Sequence, residues 1–195
     1  MIKNKRGAHF IEFQITDRDI LNQIKSLLGS NHKISIRDRN KKWKKSYRLQ
    51  LGSKEIFNDL IRLGMVPRKS NVLKFPKVPS SYLADFIRGY FDGDGHVSIC
   101  TYQKSDRKNP TTMIFTGFSS GSRKFLNKLK YLLKNSAATK GGALSFNRGY
   151  RLNYSVRDSL LLYRFMYETS NRLFLERKKS KFEYYFENWG HSSIG

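Results

Sequence analysis

One order of elements occurs twice along this chain: an apolar strand, an amphipathic helix, a basic hairpin, a second helix and a knot of basic residues. That repetition limits the available folds more than any single motif does. In the first copy His9–Ile15 alternates like a strand. Thr16 and Asp17 then offer a helix cap, and Ile20, Leu21, Ile24, Leu27 and Leu28 recur at helical spacing. In the second copy Met113–Phe118 is the strand, Ser119–Ser122 the capping stretch, and Phe125, Leu126, Leu129, Leu132 and Leu133 the helical stripe. The return strand of each hairpin opens with the same tripeptide, at Tyr47-Arg48-Leu49-Gln50 and at Tyr150-Arg151-Leu152-Asn153. Helices follow around Ser53–Leu63 and Val156–Tyr167, then the knots Pro67-Arg68-Lys69-Ser70 and Glu176-Arg177-Lys178-Lys179. Pro76 and Pro79 forbid a continuous helix between the copies, which predicts a first half over 1–70, a stiff linker over 71–80, a second half over 81–190 and a frayed tail over 191–195.

Charge narrows the partners. The 195 residues carry 38 Lys and Arg against 15 Asp and Glu, a net +23, so a polyanion is the expected ligand. A ribosomal or chromosomal coat protein would satisfy charge alone, because charge supplies affinity and no chemistry. The lone Cys100 excludes an internal disulfide and a cysteine-based zinc site. No leader pattern and no apolar run near the roughly 20 residues of a membrane span is present, so the expected setting is the cytoplasm or nucleoid.

The hairpins suit nucleic acid. Ile34 and Ile36 alternate with Lys33, Ser35 and Arg37, and Leu49 and Leu51 with Arg48 and Gln50, giving one core face and one basic, amide-bearing face. The intervening turn adds Arg39, Lys41, Lys42, Lys44 and Lys45 around Trp43, charges that would position phosphates. Arg48, Gln50, Arg151 and Asn153 have the forked donors and acceptors that recognise guanine and adenine edges in a major groove. A solvated polar strand face is the plainer alternative; recurrence in both halves favours DNA contact. Lys69, in the first knot, joins the phosphate-binding set.

Between the repeats, Leu83, Phe86, Ile87, Tyr90 and Phe91 form the apolar stripe of a helix starting near Ser81, with Ser80 or Ser81 as cap. Gly89 and Gly93 leave a groove on it, although a mid-helix glycine costs roughly 1 kcal/mol relative to alanine. The helix ends in Asp92-Gly93-Asp94-Gly95, placing carboxylates at the terminus where the helix dipole disfavours them; a cation would relieve that strain. A calcium loop beginning at Asp92 is excluded, since its glycine position is Val97 and its twelfth is Gln103.

The segment Ile87-Arg88-Gly89-Tyr90-Phe91-Asp92-Gly93-Asp94-Gly95 resembles the nine-residue motif of the LAGLIDADG homing endonucleases, with Arg88 in place of an alanine. The order of elements extends the likeness over nearly the whole chain. The resemblance implies an α+β fold of two related αββαββα halves with antiparallel, saddle-shaped sheets, and a site-specific double-stranded DNA endonuclease, intron- or intein-borne. It implies Asp94 and the Gly93 carbonyl as Mg²⁺ (or Mn²⁺) ligands, Asp92, Gly89 and Gly95 as structural motif residues, and Lys178 beside the scissile phosphate, with Lys179 and Lys181 as alternatives. On the strand after the motif, His96 and Ser98 join the DNA-facing residues. Divalent ions activate water and stabilise the leaving oxygen in such hydrolysis, and hard Mg²⁺ prefers oxygen ligands.

One part of the pattern is missing. Lys178 lies 84 positions after Asp94, and the same spacing back from Lys69 falls before Met1, so the first half lacks its motif helix. An N-terminally truncated or degenerate enzyme, a misassigned start codon, or homodimerisation through the Leu83–Phe91 helix, which would supply a second one, each accounts for this. A catalytically inactive, DNA-binding regulator or an RNA-splicing maturase is the alternative that keeps the fold without cleavage.

Overall fold

Two units divide the chain, Met1–Lys69 and Ser70–Gly195, in a computed structural model that describes residues 1–3, 7–38, 44–65, 73–103, 105, 108–168 and 173–189. The first unit runs β1 (Ile2–Lys3), β2 (His9–Ile15), α1 (Arg18–Leu27), β3 (Ser35–Arg37), β4 (Ser46–Gly52) and α2 (Lys54–Arg62). The second runs α3 (Leu83–Asp94), β5 (Gly95–Tyr102), β6 (Thr111–Ser120), α4 (Arg123–Ser136), β7 (Ala143–Phe146), β8 (Tyr150–Tyr154), α5 (Val156–Tyr163), a π-helical turn over Arg164–Glu168, and α6 (Glu176–Trp189). Each unit builds a four-stranded antiparallel sheet, in the orders β1-β2-β4-β3 and β5-β6-β8-β7. The repeat read from the sequence is therefore a repeat of topology.

Alternation decides which face of each sheet is buried. In the first unit Ile11, Leu49 and Leu51 pack with Ile20, Leu21 and Phe57 of the helices. The apolar stripe expected along α1 is only partly used, since Leu27 and Leu28 are exposed. Ile36, expected in the core, is 61% exposed. It pairs with Tyr47 on β3, a three-residue edge strand shorter than the predicted Lys33–Arg37, and the core does not extend that far.

The second unit has the larger core, with Ile87, Phe91, Ile114, Phe118, Leu126, Leu129, Leu152 and Phe182 fully enclosed. Leu73, Phe75 and Val78, in the segment read as a linker, pack against that core, and Phe75 stacks on Phe125 with ring centres 5.2 Å apart. No helix among the described residues is long and apolar enough to cross a membrane.

Candidate metal centre and nucleic-acid interface

The end of α3 is built by its own sequence. A 3-10 turn over Ser80–Tyr82 leads into the helix, whose cap is Tyr82 with no side-chain bond, so neither Ser80 nor Ser81 caps α3 as expected. Ile87 and Phe91 lock the helix to the sheet from one side. Gly89 and Gly93 lie exposed on the other, and a Cβ at either would meet open space. Gly95 differs: a Cβ there would come within 2.6 Å of the Phe91 carbonyl oxygen, so only glycine lets the chain turn from helix to β5 at this point.

The two aspartates have separate surroundings. Asp92 is buried, and its Oδ2 accepts the Leu175 N–H at 3.0 Å, tying α3 to the start of α6. Burial raises its pKa above the ordinary carboxylate range, against the opposing pull of that N–H and of Lys178, Arg88 and Arg177. Asp94 is exposed and, among the described residues, accepts no hydrogen bond and forms no ion pair. It and the Gly93 carbonyl are oxygen donors at the carbonyl end of a helix, a donor type that suits Mg²⁺ or Mn²⁺. Among the described residues no group of three or more His, Cys, Asp or Glu gathers around them, so phosphate oxygens and water would complete the shell of a bound ion.

Lys178, which the resemblance puts beside the scissile phosphate, is buried at the end of α3. Its side chain is 6% exposed, and its Nζ donates to the carbonyls of Phe91 (2.5 Å), Asp92 (2.9 Å) and Gly95 (2.7 Å). The ammonium thus caps α3, meeting the carbonyls a helix end leaves without partners. Lys179 pairs with Glu183 at 2.8 Å and lies over the Phe174 ring, whereas Lys181 is exposed. Arg88, at the motif's variant position, is buried and spent on structure: Nε donates to Leu173 O, Nη1 to Met166 O, and Nη2 pairs with Asp85. The Tyr90 hydroxyl donates to Ser119 O, and burial pushes its pKa up to about 12, so it remains a donor.

The open face of the first sheet is a connected polar surface. Arg48 lies opposite Gln14 and Ser35, and Gln50 opposite Glu12. Arg48 Nη1 reaches Glu12 Oε2 at 3.6 Å, Gln50 Nε2 donates to the same oxygen at 3.5 Å, and Arg48 Nε donates to Ser35 Oγ at 3.3 Å. Both predicted base readers are therefore held by Glu12, a residue the hairpin pattern could not connect to them. Arg37 shares this face by register, while Lys33, Lys44 and Lys45 are exposed beside the hairpin. Arg39, Lys41, Lys42 and Lys69 lie outside the described residues.

On the second sheet, the register places His96, Ser98, Gly117, Ser119, Arg151 and Asn153 on the face opposite the helices. Gly117 sits between His96 and Asn153: a Cβ on it would lie 2.2 Å from His96 Cε1 and 2.5 Å from Asn153 Oδ1. Its bare backbone lets those two side chains meet across the middle strand. Burial and the charges of Arg151 and Lys178 hold the imidazole below its ordinary pKa, while its bond to Asn153 works the other way.

Residues 81–139 match the sequence profile described as a LAGLIDADG-like domain. That segment is therefore similar to LAGLIDADG-like domains. The fold of the chain is similar to solved structures as well. It is similar to I-SmaMI bound to an uncleaved DNA target in the presence of calcium ions, with TM-score 0.62, 9% identity, and 98% of this chain and 86% of that one covered. It is similar also to the LAGLIDADG meganuclease I-AabMI bound to uncleaved DNA, with TM-score 0.62, 13% identity and coverage of 94% and 83%. I-CpaMI, another LAGLIDADG meganuclease bound to uncleaved DNA, gives TM-score 0.59, 12% identity and coverage of 95% and 82%. These likenesses concern the fold. In sequence, 125 residues are 31% identical to a probable translation initiation factor IF-2 of Methanocaldococcus jannaschii; the match takes in 60% of this chain but 9% of that protein.

The profile match takes in α3, β5, β6 and α4, and so contains Asp92, Asp94, His96 and Ser98, while Arg151, Asn153 and Lys178 lie beyond it within the same unit. Two residues of the second unit escaped the sequence reading: Gly117, whose role depends on side chains from two other strands, and Ser119, whose carbonyl receives Tyr90. Alternation along Met113–Phe118 would have put Gly117 on the open face, but nothing local marks it as a crossing point.

Proposed function

We propose that the chain is a site-specific endonuclease acting on double-stranded DNA, with Asp94 and the Gly93 carbonyl holding Mg²⁺ or Mn²⁺. The observation that carries this reading is the separation of the motif's two aspartates: Asp92 buried and bonded to Leu175, Asp94 exposed and unbonded among the described residues at the head of the second unit's antiparallel sheet. A bound divalent ion would supply the activation of water and the stabilisation of the leaving oxygen. The protein's own residues do the rest. Lys178 fixes the helix end from which Asp94 projects, so it acts by positioning, and the exposed Lys181 is an α6 cation that would meet phosphate. Arg48 and Gln50, oriented by Glu12, and Arg151 and Asn153 would read base edges, with Lys33, Lys44 and Lys45 on phosphates.

A single chain brings one such carboxylate. A homodimer through the Leu83–Phe91 helix would provide the second, and the open space over Gly89 and Gly93 supports close approach of a second helix there. The solved structures named above are DNA complexes, which supports a duplex partner met where DNA is found, in cytoplasm or nucleoid. The partial likeness to a translation factor supports no role in translation, because it takes in 9% of that protein. The sparse donor set also favours a second reading, a DNA-binding regulator or splicing maturase without cleavage.

Incubating the full chain with a randomised duplex library and Mg²⁺ separates the two. The nuclease reading predicts discrete cut products that vanish with Asp94→Asn; selective binding without cuts, indifferent to metal and to Asp94→Asn, establishes the second reading instead.

A further inference from the structure

The open face of the second sheet changes character along its length. Near α3 it carries His96, Ser98, Ser119, Arg151 and Asn153. Farther out the same face carries Cys100, Tyr102, Met113 and Phe115: Cys100 pairs with Met113, Phe115 pairs with Ser98, and the rings of Tyr102 and Phe115 meet edge to face at 6.3 Å. Cys100, Met113 and Phe115 are half-buried and Tyr102 is 46% exposed, so the cluster forms part of the surface. No carboxylate lies on this face among the described residues.

Resting on the reading of this sheet as a duplex-binding face, we propose that the outer patch of Tyr102, Met113 and Phe115 selects thymine by its C5-methyl group. Three observations point to DNA as the occupant. The patch is continuous with a cationic, amide-bearing strip. Among the described residues this face carries no carboxylate, on a chain of net charge +23. And the outer part of the β5–β6 pair, Ser98–Tyr102 with Thr111–Phe115, runs beyond β8 as a two-stranded antiparallel ribbon, the shape that a major groove about 12 Å wide admits. Met113 and Phe115 have no strong donor or acceptor, so a guanine, cytosine or adenine edge pressed against them loses its water without replacement. Thymine alone offers an apolar group in that groove. Counting from Asp94 at about 3.3 Å per strand residue, the patch lies roughly four to eight base pairs from the phosphate nearest that carboxylate.

The test uses the full chain and a bound site selected from a randomised duplex library, re-made with deoxyuridine for thymine to remove only the methyl group. The inference expects thymine enrichment at one or two outer positions. There, deoxyuridine should weaken binding about fourfold per methyl, while deoxyuridine at inner positions changes nothing. The Met113→Ser/Phe115→Ser variant should then bind thymine and uracil sites equally. Selective binding with no outer thymine, or with equal affinity for deoxyuridine there, overturns this inference and leaves the duplex-binding reading intact. Absence of selective duplex binding overturns both. A self-association abolished by Met113→Ser/Phe115→Ser overturns it in favour of a second copy of the chain on this patch.

Discussion

The ammonium of Lys178 donates to the Gly95 carbonyl at 2.7 Å across 83 positions of sequence, joining α6 to the turn that carries Asp94. With the Phe91 and Asp92 carbonyls it closes the end of α3. Replacing Lys178 by Met keeps the volume and removes all three bonds. Bonds to a charged donor are worth more than neutral ones, and the carbonyls would stay buried, so Lys178→Met should lower unfolding free energy by about 2–4 kcal/mol in urea titration. A change under about 0.5 kcal/mol, the range of ordinary surface substitutions, would remove the cap from the account.

The glycines of the motif should respond in opposite directions. Gly95→Ala drives a Cβ into the Phe91 backbone and ring, where neither can withdraw, so a loss of about 2–3 kcal/mol is expected. Gly89→Ala and Gly93→Ala place a methyl group in open space on a helix and should each stabilise the isolated chain by up to roughly 1 kcal/mol. Thermal denaturation at low protein concentration compares all three. A Gly95→Ala protein as stable as the parent would contradict the geometry.

His96 sets a pH dependence. Burial first, then the charges of Arg151 and Lys178, hold its folded pKa below the unfolded value near 6.5, so folding favours the neutral ring. Its contribution is fully present above about pH 6.5 and is lost as pH falls from there through the folded pKa. Between pH 7 and 5 the parent should therefore lose stability more steeply than His96→Gln, by at most about 1.4 kcal/mol per pH unit. Denaturant titrations across that range, in chelator, measure the two slopes; parallel slopes would disprove the shift.

Asp158, buried at the start of α5, accepts the N–H groups of Lys140 (2.9 Å) and Gly141 (2.7 Å) and so fixes the approach to β7. Asp158→Ala leaves both donors unpaired and should cost about 1–3 kcal/mol. Hydrogen exchange locates the effect: the amides of residues 140 and 141 should lose protection first.

The sequence by itself determined what depends on neighbours a few residues apart. Periods of 3.6 and 2 placed the helix over Leu83–Asp94 and the strands after Tyr47 and Tyr150, and the twofold recurrence of those periods announced two sheets of one topology. It also ranked Asp92 and Asp94 as different, through the motif. Tertiary structure decided which partners those side chains meet. Glu12 reaches Gln50 only because β2 pairs with β4 at that register, and Gly117 becomes a crossing point only between β5 and β8. Lys178, one more lysine of a basic knot on paper, became the cap of a helix that ends more than 80 positions earlier. Periodicity carries no term for such pairs: a charge far along the chain finds its partner through register and packing, and the cost of burying it unpaired selects the arrangement.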